Sequence, residues 1–220
     1  MLALLVSAAL ASTCSSTDLS VASDLQLVAR AKPVPSAPGN SYGVAPLALS
    51  AAEQARYSPE LRAFLRTLAY TEGVEKASGY YTEVGGKVYP SSTRIHPGAT
   101  DVYRYSKTGH NSDAFGRYQM ISSTWAAWAK AAGIPTAKSG KNSYGEPYYD
   151  MSPANQDIAV LEFLRREGVE RYLSAGNISG AAANSAAQNW ASVPGATQHN
   201  ERTGSFYKVY AQLLAEEKAR

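Results

Sequence analysis

One stretch constrains the fold more than any other. Ser58-Pro59-Glu60 opens a helix: Ser can accept a first-turn N–H, Pro has its backbone preset for the first helical position, and an early acid suits the positive helix end. Leu61, Phe64, Leu65 and Leu68 then fall at i, i+3, i+4 and i+7, a single apolar stripe, and Gly73 ends the helix directly after Glu72. Beyond Gly73 the helical period is lost. Tyr81-Thr82-Glu83-Val84 and Lys87-Val88-Tyr89 flank Gly85-Gly86, which predicts a β-hairpin, and residues 90–117 read as loops with a short third strand.

Helices resume at Ser122 or Ser123, ahead of Trp125, Trp128, Ala129 and Ala132, and stop at Gly133 and Pro135. Residues 136–151 read as a loop. Ser152-Pro153 opens a helix with Ile158, Leu161 and Leu164 inward and Gly168 at its end. Residues 178–189 are rich in Ala, Ser and Gly, as in a closely packed helix, and a last helix uses Phe206, Tyr210, Leu213 and Leu214. The expected architecture is α+β: a mainly helical domain with a small β-hairpin lobe and a cleft between the two lobes.

This catalytic-type domain is expected over residues 57–220. Residues 1–14 read as a signal peptide or lipoprotein signal: Leu2–Ala11 is apolar but too short to span a bilayer, and Ala9-Leu10-Ala11 offers a small-x-small cleavage site. Ala11-Ser12-Thr13-Cys14 resembles a lipoprotein box, which makes Cys14 a candidate lipidation site and membrane anchor. Residues 15–56, rich in Ser, Ala, Pro and Gly, read as a flexible tether. The expected location is outside the cytoplasm: periplasm, outer membrane or secreted.

The net charge of +3 suits an anionic partner such as a cell wall but is too weak and too scattered for nucleic acid. With a single cysteine the chain has no internal disulfide, and His96, His110 and His199 are scattered through loops. Neither a metal nor an organic cofactor is expected, and the protein is expected to be monomeric. The 15 tyrosines favour a surface that meets flat, polar sugar rings, although Tyr also simply packs well.

Two groups point to chemistry. Glu72 lies at the negative end of the first helix, where a second negative charge is disfavoured, and burial would act in the same direction. A carboxyl so placed suits a general acid; it could equally be an exposed Glu at a frayed helix end. Gly116-Arg117-Tyr118-Gln119 supplies a Gly for close backbone approach, a ring for stacking and a carboxamide that both donates and accepts. Taken alone, these would be a turn and a buried polar pair.

Together the motifs are specific. Glu72 at a helix end, the lobe with Gly79-Tyr80 and Val84-Gly85-Gly86, the run Gly116-Arg117-Tyr118-Gln119, Ser152-Pro153-Ala154-Asn155-Gln156-Asp157 and Trp190-Ala191-Ser192-Val193-Pro194-Gly195 resemble, in order, the bacteriophage lambda endolysin family of lysozyme-like enzymes. The resemblance covers roughly residues 60–215. It implies a lysozyme-like fold and a peptidoglycan lytic transglycosylase, which cleaves the β-1,4 bond between N-acetylmuramic acid and N-acetylglucosamine without adding water. It implies Glu72 as the acid, with Gln119 and Tyr118 in the saccharide cleft. Trp190 lies in the matching loop, with a role there or in the scaffold. Asp157 is expected to brace its helix. Tyr81 stands on the cleft side of the lobe where the family has a small polar or acidic residue, and the loop at 136–149 is longer than usual. The alternatives are a hydrolytic muramidase on the same fold, for which Glu75, Glu83, Asp101 and Asp113 are available second carboxylates, and a non-catalytic wall-binding module.

Overall fold

The computed structural model describes residues 42–100, 112–142, 145–196 and 200–220. The expectations for residues 1–14, for Cys14 and for residues 15–41 fall outside the described residues, as do Asp101, His110 and His199. The order of elements is α1 (Ala51–Gln54), α2 (Pro59–Thr71), α3 (Ser122–Ala131), β1 (Thr136–Lys141), β2 (Pro147–Tyr149), α4 (Pro153–Arg166), α5 (Val169–Ser174), α6 (Ile178–Ala181) and α7 (Phe206–Lys218). Among the described residues no helix is long and apolar enough to cross a membrane.

α2 is the axis of the domain. Ser58 caps it, accepting from Leu61 N, Pro59 occupies its first turn, and ten of its thirteen residues are buried, so other elements surround it. α7 lies along it, with Phe64 edge-on to Phe206 at 5.6 Å and to Tyr210 at 6.3 Å. Arg62 and Arg66 also face this interface. A buried guanidinium is tolerated only when paired. Each reaches Glu217 at 2.9 Å, and Arg66 also reaches Glu216 at 2.9 Å. On the other side α3 packs on α4: Trp128 stacks on Phe163 with centroids 4.0 Å apart, and Trp190 leans against both.

The β-lobe has the expected hairpin connectivity but not the expected strands. Thr82 bridges Val88, Glu83 bridges Phe115, and Phe115 bridges Met120, each as an isolated antiparallel bridge. Gly85 and Gly86 turn the chain with φ of +87° and +90°, and the runs beside them are too short to extend the ladder. The regular sheet lies in the segment expected to be a loop: β1 and β2 pair antiparallel, with Thr136 opposite Tyr149 and Lys141 opposite Pro147. All six residues of β1 are exposed; backbone pairing holds it, together with the Lys138 ammonium, which lies 4.1 Å over the Tyr148 ring of β2.

The expected tether boundary also moves. Residues 42–56 belong to the folded domain, because Val44, Leu47 and Leu49 are buried in its core. Ala45 N donates to Glu75 O at 2.8 Å. The carbonyl of Val44 accepts from Arg66 at 2.8 Å, that of Pro46 from Arg117 at 2.7 Å, and that of Ala45 from Arg117 as well. An extended strap thus supplies carbonyl acceptors to the terminal nitrogens of two buried guanidiniums.

Candidate functional site

Glu72 is the C-cap of α2, its own N–H bonded back to Leu68 O at 2.9 Å. Its carboxylate is half-buried and accepts a hydrogen bond from the Ser192 hydroxyl. Burial pushes the Glu72 carboxyl above the usual carboxylate range, and the Ser192 bond pulls in the opposite direction. Asn200, Arg202 and Thr203 brace this helix end and the Ser192 backbone beside it. Asn200 Nδ2 donates to Thr71 O at 2.8 Å, Arg202 donates to Tyr70 O at 2.9 Å, and Thr203 Oγ1 donates to Ser192 O at 2.8 Å. The last-turn carbonyls, which a helix cannot satisfy itself, are thereby occupied. The sequence alone does not single out Ser192, although it lies within the Trp190–Gly195 motif.

Gln119 sits on a tight turn that begins at Gly116. Gly116 has φ +81°, and a Cβ there would lie 2.4 Å from Gln156 Oε1. That oxygen accepts Arg117 N–H at 3.0 Å. Gln119 itself has φ +47°, the one positive value among the described non-glycine residues. Its Nε2 donates to Gly116 O at 2.9 Å and to Thr82 O at 3.1 Å, joining the turn to the β-lobe. Its half-buried carboxamide leaves Oε1 as an acceptor. One depression of about 260 Å³ is lined by Gln119, Ile121, Thr124, Trp128, Gln188 and Asn189, together with parts of Tyr118, Met120 and Trp190. A second, of about 170 Å³, is lined by Gly73–Lys76, Ser78, Gly79 and Thr82; Glu72 lies beside Gly73 in the chain but lines neither depression.

The remaining expected site residues divide. Tyr118 is corrected: it is 0% exposed, and its hydroxyl donates to Asp157 Oδ1 at 2.5 Å, so its ring is not available to stack on a sugar. Trp190 is also a core residue, 3% exposed, with Nε1 donating to Tyr118 O at 2.9 Å. It shapes the depression from behind. Tyr81 is half-buried and packs its ring against the edge of the core. Asp157 braces, as expected, but across the domain rather than along its own helix. It accepts from Tyr118, from Tyr80 at 2.7 Å and from Ala48 N at 2.6 Å, and Arg117 donates to Tyr80 at 2.7 Å. Gln156 completes the lattice through Tyr80 O at 2.9 Å and Met151 O at 3.0 Å. Most of the motif residues therefore hold the turn that presents Gln119.

Three of the four second-carboxylate candidates are described, and each has a partner. Glu75 pairs with Arg202 at 2.7 Å, and Asp113 Oδ2 accepts the Ser122 N–H at 3.2 Å. Glu83 is buried, with the Tyr89 hydroxyl at 3.4 Å. Among the described residues no group of three or more His, Cys, Asp or Glu converges as a metal site would require.

Comparison with known proteins places this geometry. The Endolysin family model matches residues 62–216, from the first turn of α2 into α7. The chain is 30% identical to the endolysin of Escherichia phage P2 over 163 residues, covering 68% of this chain and 87% of the relative. It is 29% identical to the endolysin of Escherichia phage lambda over 143 residues, covering 61% and 77%. Among solved structures, lysozyme from bacteriophage lambda superposes with a TM-score of 0.53 at 25% identity over 74% of this chain and 94% of that one. Bacteriophage lambda lysozyme complexed with a chitohexasaccharide gives 0.55 at 24% identity over 71% and 95%.

Proposed function

The chain belongs to the endolysin family, whose members degrade the cell wall, and from that premise we propose that it is a lytic transglycosylase acting on peptidoglycan glycan strands, with Glu72 as the catalytic acid. The observation that carries this reading is the Glu72 carboxyl: half-buried at a helix C-terminus, raised by desolvation, and, among the described residues, without a basic side chain bonded to it. A carboxyl whose protonated form is favoured by burial can deliver a proton to a glycosidic oxygen.

In this mechanism Glu72 protonates the oxygen bridging N-acetylmuramic acid and N-acetylglucosamine. The C1–O bond breaks and C1 acquires oxocarbenium character. Glu72, now a carboxylate, takes the proton of the same muramoyl residue's C6 hydroxyl, whose oxygen bonds to C1 and closes a 1,6-anhydro ring. The tethered nucleophile gains from high effective concentration, and one carboxyl performs both proton transfers. A hydrolase would need a second carboxylate to activate water or to attack C1. Among the described residues the candidate second carboxylates, Glu75, Glu83 and Asp113, each have a partner of their own, which supports the transglycosylase reading. Gln119 Oε1 is the group proposed to hold an amide or hydroxyl of the sugar, and the lambda lysozyme complex with a chitohexasaccharide supports a saccharide in this fold's cleft. Residues 1–14 are proposed to export the domain, as a signal peptide or as a lipoprotein signal with Cys14 as the candidate lipid attachment point.

The test is mass spectrometry of muropeptides released from purified peptidoglycan. Products with 1,6-anhydro-muramic ends are expected. Reducing ends, heavier by one water, would make the protein a muramidase; no release would make it a wall-binding module.

A further inference from the structure

The Ser192 hydroxyl has one proton and two acceptors within reach. One is Glu72 Oε1; the other is Thr71 Oγ1, at 3.1 Å. A hydroxyl donates to one acceptor at a time. Thr71 directs its own proton to the helix backbone, to Leu68 O at 3.0 Å or Thr67 O at 3.3 Å, so towards Ser192 it acts as an acceptor. Thr71 is 0% exposed and Ser192 3%, so water is a poor substitute for either partner. The backbone on both sides is held: Thr203 donates to the Ser192 carbonyl and Asn200 to the Thr71 carbonyl, each at 2.8 Å.

Resting on the acid role of Glu72 proposed above, we infer that Ser192 is the positioning residue of that acid, its hydroxyl donating to Glu72 Oε1 while Glu72 is a carboxylate and shifting towards Thr71 Oγ1 when protonation at Oε2 leaves Oε1 a neutral, weaker acceptor. The turn transfers no proton between groups and breaks no covalent bond. The negative charge that appears on Glu72 when the bridging oxygen is protonated meets a donor at once. When Glu72 regains a proton from the C6 hydroxyl, Ser192 keeps a partner. With Oε1 turned to Ser192, Oε2 is the oxygen that exchanges protons with the sugar.

Among the described residues, the charged groups next to this point in the chain are few. From the turn after α2 come Glu75 and Lys76, and from the 200–205 turn Arg202 and Glu201. Glu75 and Arg202 are closed on each other at 2.7 Å, and Lys76 and Glu201 are exposed. Burial and Ser192 are the two influences resolved on the Glu72 carboxyl.

The pH dependence of kcat and kcat/KM on purified peptidoglycan, measured with the full chain, separates this role from a structural one. Ser192→Ala removes the donor to the carboxylate, so the ionised form is disfavoured and the alkaline limb moves up, by roughly one pH unit. Its kcat at pH below both limbs falls about ten- to hundredfold, with KM within about threefold. Thr71→Val removes the acceptor that serves the protonated form, so the alkaline limb moves down. Ser192→Thr, which keeps the hydroxyl, restores the wild-type limb. Opposite movement in the two variants is the expected signature, since loosened packing predicts no opposition. Limbs that stay put, or move the same way in both, overturn the inference. Should Ser192→Ala lose its thermal transition, Thr71→Val and Ser192→Thr decide it. Glu72→Gln run in parallel distinguishes the two levels: an active Glu72→Gln sinks the acid role itself, whereas an inactive one beside unmoved limbs sinks only the role of Ser192.

Discussion

The hydroxyl of Tyr118 donates to the carboxylate of Asp157 at 2.5 Å, joining two motifs that lie 39 residues apart in the chain. Both side chains are fully buried, and Arg117, also buried, sits beside them with its guanidinium on Tyr80. Asp157→Asn puts an NH2 in place of one carboxylate oxygen, opposite either the Tyr118 hydroxyl at Oδ1 or Ala48 N at Oδ2, and leaves Arg117 without its counter-charge. A broken buried pair of this kind costs about 3–5 kcal/mol. Tyr118→Phe removes one bond to a charged acceptor, about 1.5–3 kcal/mol. Urea unfolding of the two single variants and the double variant is expected to give less than the sum of the singles, because the lattice is shared. Folded Tyr118→Phe should keep the wild-type KM; a raised KM would mean that Tyr118 meets substrate after all.

Gly116 tests the same lattice from the backbone. A Cβ there would enter within 2.4 Å of Gln156 Oε1 at a φ of +81°, and that oxygen holds the Arg117 N–H. Gly116→Ala is expected to destabilise by about 2–4 kcal/mol, combining left-handed strain with an overpacked contact. Unfolding within about 0.5 kcal/mol of wild type would show that the turn is loose rather than built.

An element is legible in a sequence when its burial leaves a period there. α2 could be read from Ser58, Pro59 and a stripe of leucines because one face had to be apolar. β1 could not: Thr-Ala-Lys-Ser-Gly-Lys is exposed on every residue, so neither face writes an alternation into the sequence. α5 was hidden by Gly168, which at φ +76° ends α4 and starts α5 at once and reads only as a stop. The strap at 42–56 was hidden by composition, since its use lies in the carbonyls of Val44, Ala45 and Pro46, which every residue possesses. At the site, the motifs identified which residues matter but not where they point. Glu72 was placed by its helix end alone. Tyr118 and Gln119 are neighbours in one motif, yet one is locked in the core and the other half-exposed at its surface.

Gln119 separates backbone from side-chain function. Its φ of +47° costs a non-glycine residue about 1–2 kcal/mol, which the two Nε2 bonds to Gly116 O and Thr82 O offset. Gln119→Gly relieves the strain while losing those bonds; Gln119→Ala loses the bonds and keeps the strain. Thermal unfolding should therefore rank wild type and Gly close together and Ala about 1 kcal/mol lower. Both variants should raise KM on peptidoglycan by about tenfold if Oε1 holds the sugar. An unchanged KM in both would confine Gln119 to scaffolding.

Glu72 should lower the stability of the protein as pH rises. Burial raises its folded-state pKa above that of the unfolded chain, so between the two values the native state holds more protons than the unfolded one. Stability falls as pH climbs through that window, from the ordinary Glu pKa near 4.3 up to the raised value, and the loss is complete above it. Glu72→Gln removes the titration while filling the same space. Its unfolding free energy should then match or exceed that of wild type at pH 7, and the difference between the two should shift towards wild type at pH 4. The same substitution deletes the only proton donor in the proposed mechanism, so muropeptide release should fall by about a thousandfold or more. A variant more stable than wild type yet inactive would mean that the fold bears the cost of a buried acid for the sake of the reaction. A variant destabilised at both pH values by the same amount would instead make Glu72 a structural partner of Ser192, and the acid would have to be sought elsewhere.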